Sequence, residues 1–484
     1  MLYAGNVVSR TGEDQRQTLS FGVRVQNLAY DKCIEIHWAG EAGEWRVLPC
    51  HFAHPTGQDG EVWDAEAVFD SSRERLPGGI AFAARVRMAG VDAWDSNDGR
   101  NYTLAADAGL WLAASQPLLN VRVHARLALE DTFVPVTVAV HTSLQARQVF
   151  VRSHEDHSHV WTTRECVFWR RHWERAHASG AQNPSAAGTA IWVTHIPVQH
   201  AWRVEYAVGC TGAAGVFWDN NFGTNYVVAR EPLKVMTLNL HCNQEEEADA
   251  KLSTVAQAID DHRVDIVCLQ EVAEPWEGGS AAFAENAAKK IRDRLREPYH
   301  LVHDWSHRGF GIYREGSAIL TRHDIVVKDA GYVSSRHDAE SIHSRKIVMA
   351  QVNVPCVGAV NIFSVHLSWW KDGFREQFER LAAWARDRAT PEVAATLLLG
   401  DFNAAPDSAG YAQVMAGGEF DDALVQSRRR ETGETAVNGS RIDYIFLRKD
   451  GALEARTVRR LFTPADYGRV SDHPGYYAEL MPRA

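Results

Sequence analysis

The 484-residue chain has no CxxC pair among its 7 cysteines, no run of 18 apolar residues and no long basic stretch. The scattered cysteines exclude a disulfide framework and a structural zinc ribbon. Cys268, inside an apolar run, reads as a small core residue. Without about 18 consecutive apolar residues, nothing in the sequence is built to span a bilayer. The opening Met1, Leu2, Tyr3 lacks the charged segment and apolar stretch of a secretory signal, so a cytoplasmic protein is expected. The formal net charge is −11, from 51 Lys and Arg against 62 Asp and Glu. That speaks against non-specific nucleic-acid binding, which needs phosphate neutralisation. A local basic cleft on an acidic surface would still suit a nuclease. At 45% hydrophobic and 23% charged residues, the chain is globular and long enough for more than one core.

What is present begins with short alternating segments. Residues 18–26, 34–38 and 80–88 alternate apolar and polar, separated by Gly and Asp clusters, with no helical periodicity between them. That predicts a small β-sandwich. The chain then repeats itself. Trp94, Asp95, Asn97, Gly99, Asn101 and Tyr102 recur 124 positions later as Trp218, Asp219, Asn221, Gly223, Asn225 and Tyr226. A weaker match sets Trp45 and Cys50 against Trp161 and Cys166. So long a period is not a solenoid repeat; it points to two homologous domains in tandem, residues 1–114 and 120–230. Residues 178–188, rich in Ala, Ser and Gly, read as a surface loop.

From Leu233 the pattern changes. Residues 234–240 predict a strand; Leu252, Val255, Ala256 and Ile259 then recur on one helical face, and residues 264–269 predict a second strand. Residues 359–365 and 395–399 are further strands, with a helix over about 374–388 between them. Such alternation predicts an α/β layered domain over residues 233–484.

Polar residues close these strands. Asn239 follows the first and Glu271 the second; His366 ends a third, and Gly400, Asp401 and Asn403 follow three leucines. Asp443 lies in Arg441-Ile442-Asp443-Tyr444-Ile445, and the chain nearly closes on Ser471, Asp472 and His473. Each alone reads as a turn, a cap or a hydrogen-bonded structural group. Together, at one edge of a layered sheet, they form a ligand site. A hard cation such as Mg²⁺, or Mn²⁺ in its place, takes oxygen ligands of the kind Asn239, Glu271 and Asp472 supply. A histidine held by a carboxylate can polarise or deprotonate water.

In this order, these motifs resemble the endonuclease/exonuclease/phosphatase superfamily, which includes DNase I-like nucleases, inositol polyphosphate 5-phosphatases and neutral sphingomyelinases. The resemblance implies a four-layer α/β sandwich. It implies Glu271 as principal metal ligand with Asn239 and Asp472 beside it, and Asp443 orienting His473 as a catalytic dyad. Asp401 positions or activates the nucleophilic water or assists the leaving group, while Asn403 and His366 stabilise the transition state. Arg345 falls where family members place a phosphate-contacting arginine; a solvated arginine is the alternative. Trp369 and Trp370, just after His366, can stack a sugar, a base or a lipid headgroup, or pack on the following helix. Residues 305–314 read as a loop forming another part of the substrate rim.

The two Trp-Asp repeats resemble carbohydrate-binding module family 21, which also occurs in glycogen-targeting subunits of protein phosphatase 1. This resemblance implies two immunoglobulin-like β-sandwiches that hold α-glucan. Indole rings stack on the apolar faces of pyranoses, while amides and carboxylates bind their hydroxyls. Trp94, Asp95, Asn97, Asn101 and Tyr102 would do this in the first copy, and Trp218, Asp219, Asn221, Asn225 and Tyr226 in the second. The alternative is a tight Asp/Asn/Gly turn pinned by core aromatics, with no ligand. The second copy departs further from the family, and its His154, His157 and His159 read as a polar loop or a transition-metal site.

The expectation is therefore a Mg²⁺-dependent phosphatase or phosphodiesterase tethered to an α-glucan or other glycan, acting on a phosphorylated sugar, glucan or small molecule. One rival is a nuclease, whose partner would be nucleic acid. Another is a non-catalytic glycan-binding scaffold, which the intact catalytic set opposes. A sphingomyelinase-like lipid hydrolase finds no amphipathic membrane helix to support it.

Overall fold

The computed structural model describes residues 2–7, 16–40, 43–55, 60–70, 79–105, 112, 117–121, 126–156, 158, 160–171, 189–198, 200–221, 223–241, 244–277, 280–309, 311–432 and 441–483. The chain divides into two compact units, Met1–Arg230 and Glu231–Ala484.

The first unit is all β. One sheet runs Leu2–Val7, Arg16–Gln26, Gly60–Asp70, His51–Pro55. A second runs Trp45–Pro49, Lys32–Ala39, Gly79–Met88, Val91–Asp95, with Tyr102–Ala105 also paired to Gly79–Met88. The same order then recurs. Leu118–Asn120, Phe133–His141, Thr189–Pro197 and Val167–Arg171 form one sheet. Thr162–Glu165, Gln148–Glu155, Arg203–Gly212 and Gly215–Asp219 lie in the other, with Tyr226–Arg230 on Arg203–Gly212. The internal repeat is thus a repeat of strand order. Even the matched cysteines take equivalent places: both are buried, and the Cys50 N–H donates to Ile34 O at 2.9 Å as that of Cys166 does to Val149 O at 2.8 Å.

Period-two alternation builds these sheets. Val134, Val136, Val138 and Val140 face a core shared with Val149, Val151, Tyr206 and Val208. From the same sheet Leu119, Ala139 and Ile191 face the other way, into the core of Leu19, Phe21, Ile36, Trp38 and Phe82. A sheet buried on both faces joins the two repeats into one unit. Residues 178–188, His157 and His159 lie outside the described residues; His154 packs on Trp161, ring centroids 4.5 Å apart.

The second unit has two mixed sheets. One runs His300–Gly309, Tyr313–Thr321, Ile266–Glu277, Leu233–Asn239, Gly475–Pro482, Leu453–Leu461. The other runs Asp324–Tyr332, Lys346–Val354, Gly358–His366, Val393–Asp401, Asp443–Arg448, Phe420–Asp422. Helix Ala248–His262 buries Leu252, Val255, Ala256 and Ile259 on the first sheet against Val267, Leu269 and Leu320. Helix Phe374–Arg388 buries Phe378, Leu381 and Ala385 on the second against Ile347, Phe363 and Leu398. Each helix is the crossover between two parallel strands, 233–239 to 266–277 and 358–366 to 393–401, the connection that parallel pairing requires. The sheets meet through polar contacts: Gln270 Nε2 donates to Ser364 Oγ at 3.1 Å, and Ser364 Oγ to Leu269 O at 3.1 Å. Residues 305–314, expected as a loop, are mostly the two arms of a hairpin, His300–Gly309 and Tyr313–Thr321. Among the described residues no helix is long and apolar enough to cross a membrane.

Candidate active site

Register places the polar strand ends side by side. His366 pairs across with Asp401, and Asp401 with Asp443, so three functional groups sit on adjacent strands one interstrand spacing apart. On the facing sheet Asn239 closes its strand, and Glu271 sits where register slips between Leu269 and Val272. Its φ of 48° is left-handed, as at a bulge that re-aims a side chain. Asn403, φ 48°, turns the chain away just beyond Asp401.

Asn239, Asp401 and Asp443 are at most 1% exposed, and His366 and Asn403 are each 7% exposed. Burial this deep demands partners. Asn239 Nδ2 donates to Glu271 Oε1 at 2.9 Å and to Asp401 Oδ2 at 3.2 Å, while its oxygen accepts the His241 N–H at 3.0 Å. Asp401 Oδ1 accepts the Asn403 N–H at 2.8 Å. Asn403 Nδ2 donates to Leu367 O at 2.9 Å, which holds the amide beside Asp401.

Two histidines carry opposite settings. Arg345 Nη1 lies 3.2 Å from His366 Nδ1. A guanidinium only donates, so this nitrogen accepts and the ring proton sits on Nε2, 3.6 Å from Asp401 Oδ2 and 4.0 Å from Glu271 Oε1. Burial, and then the charge of Arg345, hold His366 well below its ordinary pKa, so it is neutral. His473 Nδ1 lies 2.8 Å from Asp443 Oδ2, leaving Nε2 3.9 Å from both Asp401 and Asp472. Burial alone would lower its pKa; the Asp443 bond and the charges of Asp443, Asp401 and Asp472 outweigh it and raise it to about 9. Asp401 is pushed the other way from an ordinary carboxyl, up to about 7, by burial and then by Asp443. The arrangement thus holds a carboxyl that can take or give a proton near neutral pH beside an imidazolium that keeps its proton there.

Among the described residues, three sets of ligating groups lie within 4.8 Å among themselves: His241, Glu245 and Asp472; Glu271, Glu315 and His366; Asp401, Asp443 and His473. Burial, and then the nearby Glu315 carboxylate, raise the pKa of Glu271. Two buried carboxylates this close are relieved by a divalent cation, so the donor set fits one. Asn239 touches Glu271, but its amide nitrogen is the atom turned to the carboxylates; as a cation ligand it would present its oxygen after rotating about χ2. Asp472, expected beside them, lies in the neighbouring set, 3.6 Å from His241 Nδ1.

Arg345 reaches the site through both His366 and Ser368, whose Oγ is 3.3 Å from Arg345 Nε. Trp369 and Trp370 are 50% and 41% exposed and, with Lys371, line an apolar cleft of about 440 Å³. Sequence reasoning missed Glu315, His241, Ser368 and Gln377. Glu315 stands at the start of an apolar strand, where a charged residue draws no notice. His241 follows Asn239 by two positions, a signal that was available.

In the first unit the polar motif residues are largely committed internally. Tyr102 OH donates to Asp95 at 2.6 Å, and Asn97 Nδ2 to Asn101 O at 3.1 Å. In the second copy Tyr226 OH lies 2.8 Å from Asp219, which is buried and also accepts the Asn120 N–H. Asn221 Nδ2 donates to Asn225 O and Thr224 Oγ1, and Asn225 Nδ2 to Glu205. Asp95, Asn97, Tyr102, Asp219, Asn221 and Tyr226 therefore pin a tight turn, the alternative that the sequence left open beside sugar contact. Left-handed φ at Asn97, Asn101, Asn221 and Asn225 is why Asn recurs there. Trp94 and Trp218 face outward, 51% and 45% exposed.

Residues 236–473 match the Endonuclease/Exonuclease/phosphatase family. Among solved structures, the chain is similar to an endonuclease/exonuclease/phosphatase family protein from Leptotrichia buccalis at 24% identity and TM-score 0.44, covering 51% of this chain and 99% of that one. It is also similar to a mannosyl-6-phosphatase from Bacteroides thetaiotaomicron at 18% identity and TM-score 0.39, covering 51% and 99%. Among curated proteins, it is 35% identical over 89 residues to protein phosphatase 1 regulatory subunit 3E of Rattus norvegicus, 17% of this chain and 29% of that protein. The Mus musculus protein of the same name is 34% identical over 89 residues. The chain thus spans under a third of the length of these curated relatives.

Proposed function

With its C-terminal half a metal-dependent phosphoric ester hydrolase of the endonuclease/exonuclease/phosphatase family, we propose that the chain hydrolyses a phosphoester carried on a sugar or an α-glucan. The observation that carries the chemistry is the Asp443–His473 pair set against buried Asp401. Glu271 with Asn239, and Glu315 beside them, would hold Mg²⁺ or Mn²⁺, which when bound would supply Lewis-acid charge at a phosphoryl oxygen. Asp401, its pKa raised toward neutrality, accepts the proton of the attacking water. Asp443 holds the His473 Nδ1 proton, so Nε2 faces the reacting phosphorus; as the water oxygen bonds to it, the ester P–O bond breaks and the departing alkoxide takes a proton from solvent. His366 Nε2–H, fixed by Arg345, donates to a non-bridging oxygen as charge develops there, and Arg345 offers its remaining N–H groups to the same phosphate. Asp472 orders the outer side of His473.

The glycan half of the proposal is supported by the recurrent Trp-Asp turns and by their outward indoles, Trp94 and Trp218. Two weak glycan contacts on one chain raise the local concentration of a tethered ester. One observation favours a nuclease instead. Arg314 lies between Trp276 and Trp305, 3.9 and 4.6 Å from their centroids, with Lys346 5.7 Å beyond Trp305. Cations and rings in series suit a single strand, but Lys346 is paired with Asp304 and Arg308 with Glu340, which leaves little charge to neutralise phosphates.

The deciding experiment incubates the purified chain and its Glu271→Gln variant with Mg²⁺ and phosphomonoesters, phosphodiesters, phosphorylated glucan or plasmid DNA. Glu271-dependent phosphate release from a sugar or glucan ester is the expected result; selective DNA cleavage would replace this reading with the nuclease. Trp94→Ala is expected to weaken retention on insoluble α-glucan, and undiminished retention would remove that indole from glycan binding.

A further inference from the structure

Linked to Arg345 through Ser334 and Gln377 is a second, polar cavity of about 240 Å³, between the segment 334–343 and the start of helix Phe374–Arg388. We propose that it seats the hydroxyl groups of the substrate's alcohol portion, a neutral polyol such as a single sugar ring, and so selects which phosphoester is cleaved. This rests on the hydrolase reading above and names the residues that would make it sugar-specific.

Its place is the first argument. Two of its lining residues, Ser334 and Gln377, each 3% exposed, belong to the network that holds Arg345. Gln377 Oε1 accepts the Ser368 N–H at 2.8 Å and its Nε2 donates to Ser368 Oγ at 3.0 Å; that hydroxyl in turn lies 3.3 Å from Arg345 Nε. Ser334 Oγ accepts the Arg345 N–H at 2.9 Å. A molecule in the cavity is therefore one residue removed from the arginine that faces the phosphate. The wall is also stiff: Arg380 Nη1 donates to Val333 O at 3.2 Å and Ser334 O at 2.7 Å, tying the segment to the helix.

Its chemistry is the second. Asp372 and Glu376 come from one side, Arg336 and His343 from the other. Among the described residues their side chains make no hydrogen bond or ion pair within the protein. They offer strong acceptors and strong donors together, which is what a set of hydroxyls, each both donor and acceptor, can satisfy. A second phosphate would face two carboxylates against one permanent cation. An acyl chain would leave all of these groups desolvated and unpaired. The adjoining apolar cleft of Trp369 and Trp370 offers flat faces for the ring's C–H surfaces.

The test measures kcat/KM of the full-length chain with Mg²⁺ for a hexose monophosphate and for p-nitrophenyl phosphate, and reads their ratio. Glu376→Gln and Asp372→Asn keep shape and remove charge; each is expected to lower the sugar-over-aryl ratio about tenfold, the loss of one hydrogen bond to a charged group. Glu379→Gln, on the same helix but outside the cavity, is expected to keep the wild-type ratio. An unchanged ratio in both cavity variants overturns the proposal. So does a wild type that cleaves the aryl ester, in a Glu271-dependent way, without preferring the sugar ester; the hydrolase reading then stands without this subsite. If neither ester is cleaved with Mg²⁺, the proposal and the phosphomonoester reading fall together.

Discussion

At the scale of single residues, the site works by setting two histidines apart. His366 accepts from a guanidinium and stays neutral; His473 is bound to a carboxylate and holds its proton more firmly. The same side chain is thus a hydrogen-bond donor in one place and a proton-holding cation in the other, and only its partners decide which. His473→Ala is expected to lower kcat by about 10²-fold or more, the range for a general acid–base group, while the Glu271 set still binds its cation. A tryptophan-fluorescence or calorimetric Mg²⁺ titration checks the second half; lost binding would make His473 a ligand rather than a proton carrier. Asp443 and His473 were visible as a pair only through the resemblance of their motifs to a known family, not through spacing along the chain. That spacing concealed Glu315, because its approach to Glu271 and His366 arises between strands whose register cannot be read from either sequence alone.

At the scale of elements, the side chains of the candidate active site are placed by backbone that tolerates no bulk. Gly400, φ 150°, immediately precedes Asp401 where strands 358–366 and 393–401 pair in parallel. A Cβ there would stand 1.9 Å from Val365 O, a distance only backbone movement can relieve. Gly400→Ala is expected to destabilise the second unit by about 1–3 kcal/mol, the range for a residue held in a strained backbone conformation, and to displace Asp401 with it. Chemical denaturation together with activity measures both; a variant with wild-type midpoint and rate would show that the strand pair has slack. The helices were foreseeable because their apolar spacing is local: residues 374–388 form the helix over the span the sequence predicts. The hairpin 300–321 was not, since Gly and Arg inside 305–314 resemble a loop until the partner strand supplies their hydrogen bonds.

At the scale of the molecule, each unit carries its own core and its own liabilities. His323 is buried in the second unit with Nε2 lacking a hydrogen bond. Burial, and then Arg322, depress its pKa to about 4, against about 6.5 in the unfolded chain. The folded form therefore binds fewer protons than the unfolded between those values. Its contribution is complete above about pH 6.5, is lost as pH falls towards about 4, and falls no further below. The expected loss is on the order of 3 kcal/mol at most. His323→Gln should flatten the dependence of the unfolding midpoint on pH between 6.5 and 4; an identical slope in both proteins would place the acid sensitivity elsewhere. In the first unit the same strand order occurs twice, and the Trp-Asp turn survives in both copies because Asp95 with Tyr102, and Asp219 with Tyr226, close it from within. Recurrence there preserves a turn as much as a ligand site.

The sequence by itself determined the duplicated β architecture, the α/β character after Leu233, and the strand-end carboxylates, amides and histidines that gather in the candidate active site. Each of those signals is local: a period of two, a helical period, or a motif of a few residues. Tertiary structure alone decided which atoms of Asn239 and Asn403 face the cleft, that Asp472 stands with His241 and Glu245, and that Ser334 and Gln377 connect a polar cavity to Arg345. Those facts depend on strand register, side-chain rotation and burial between elements far apart in the chain, where a hydrogen-bond partner is chosen by geometry and not by neighbourhood in sequence.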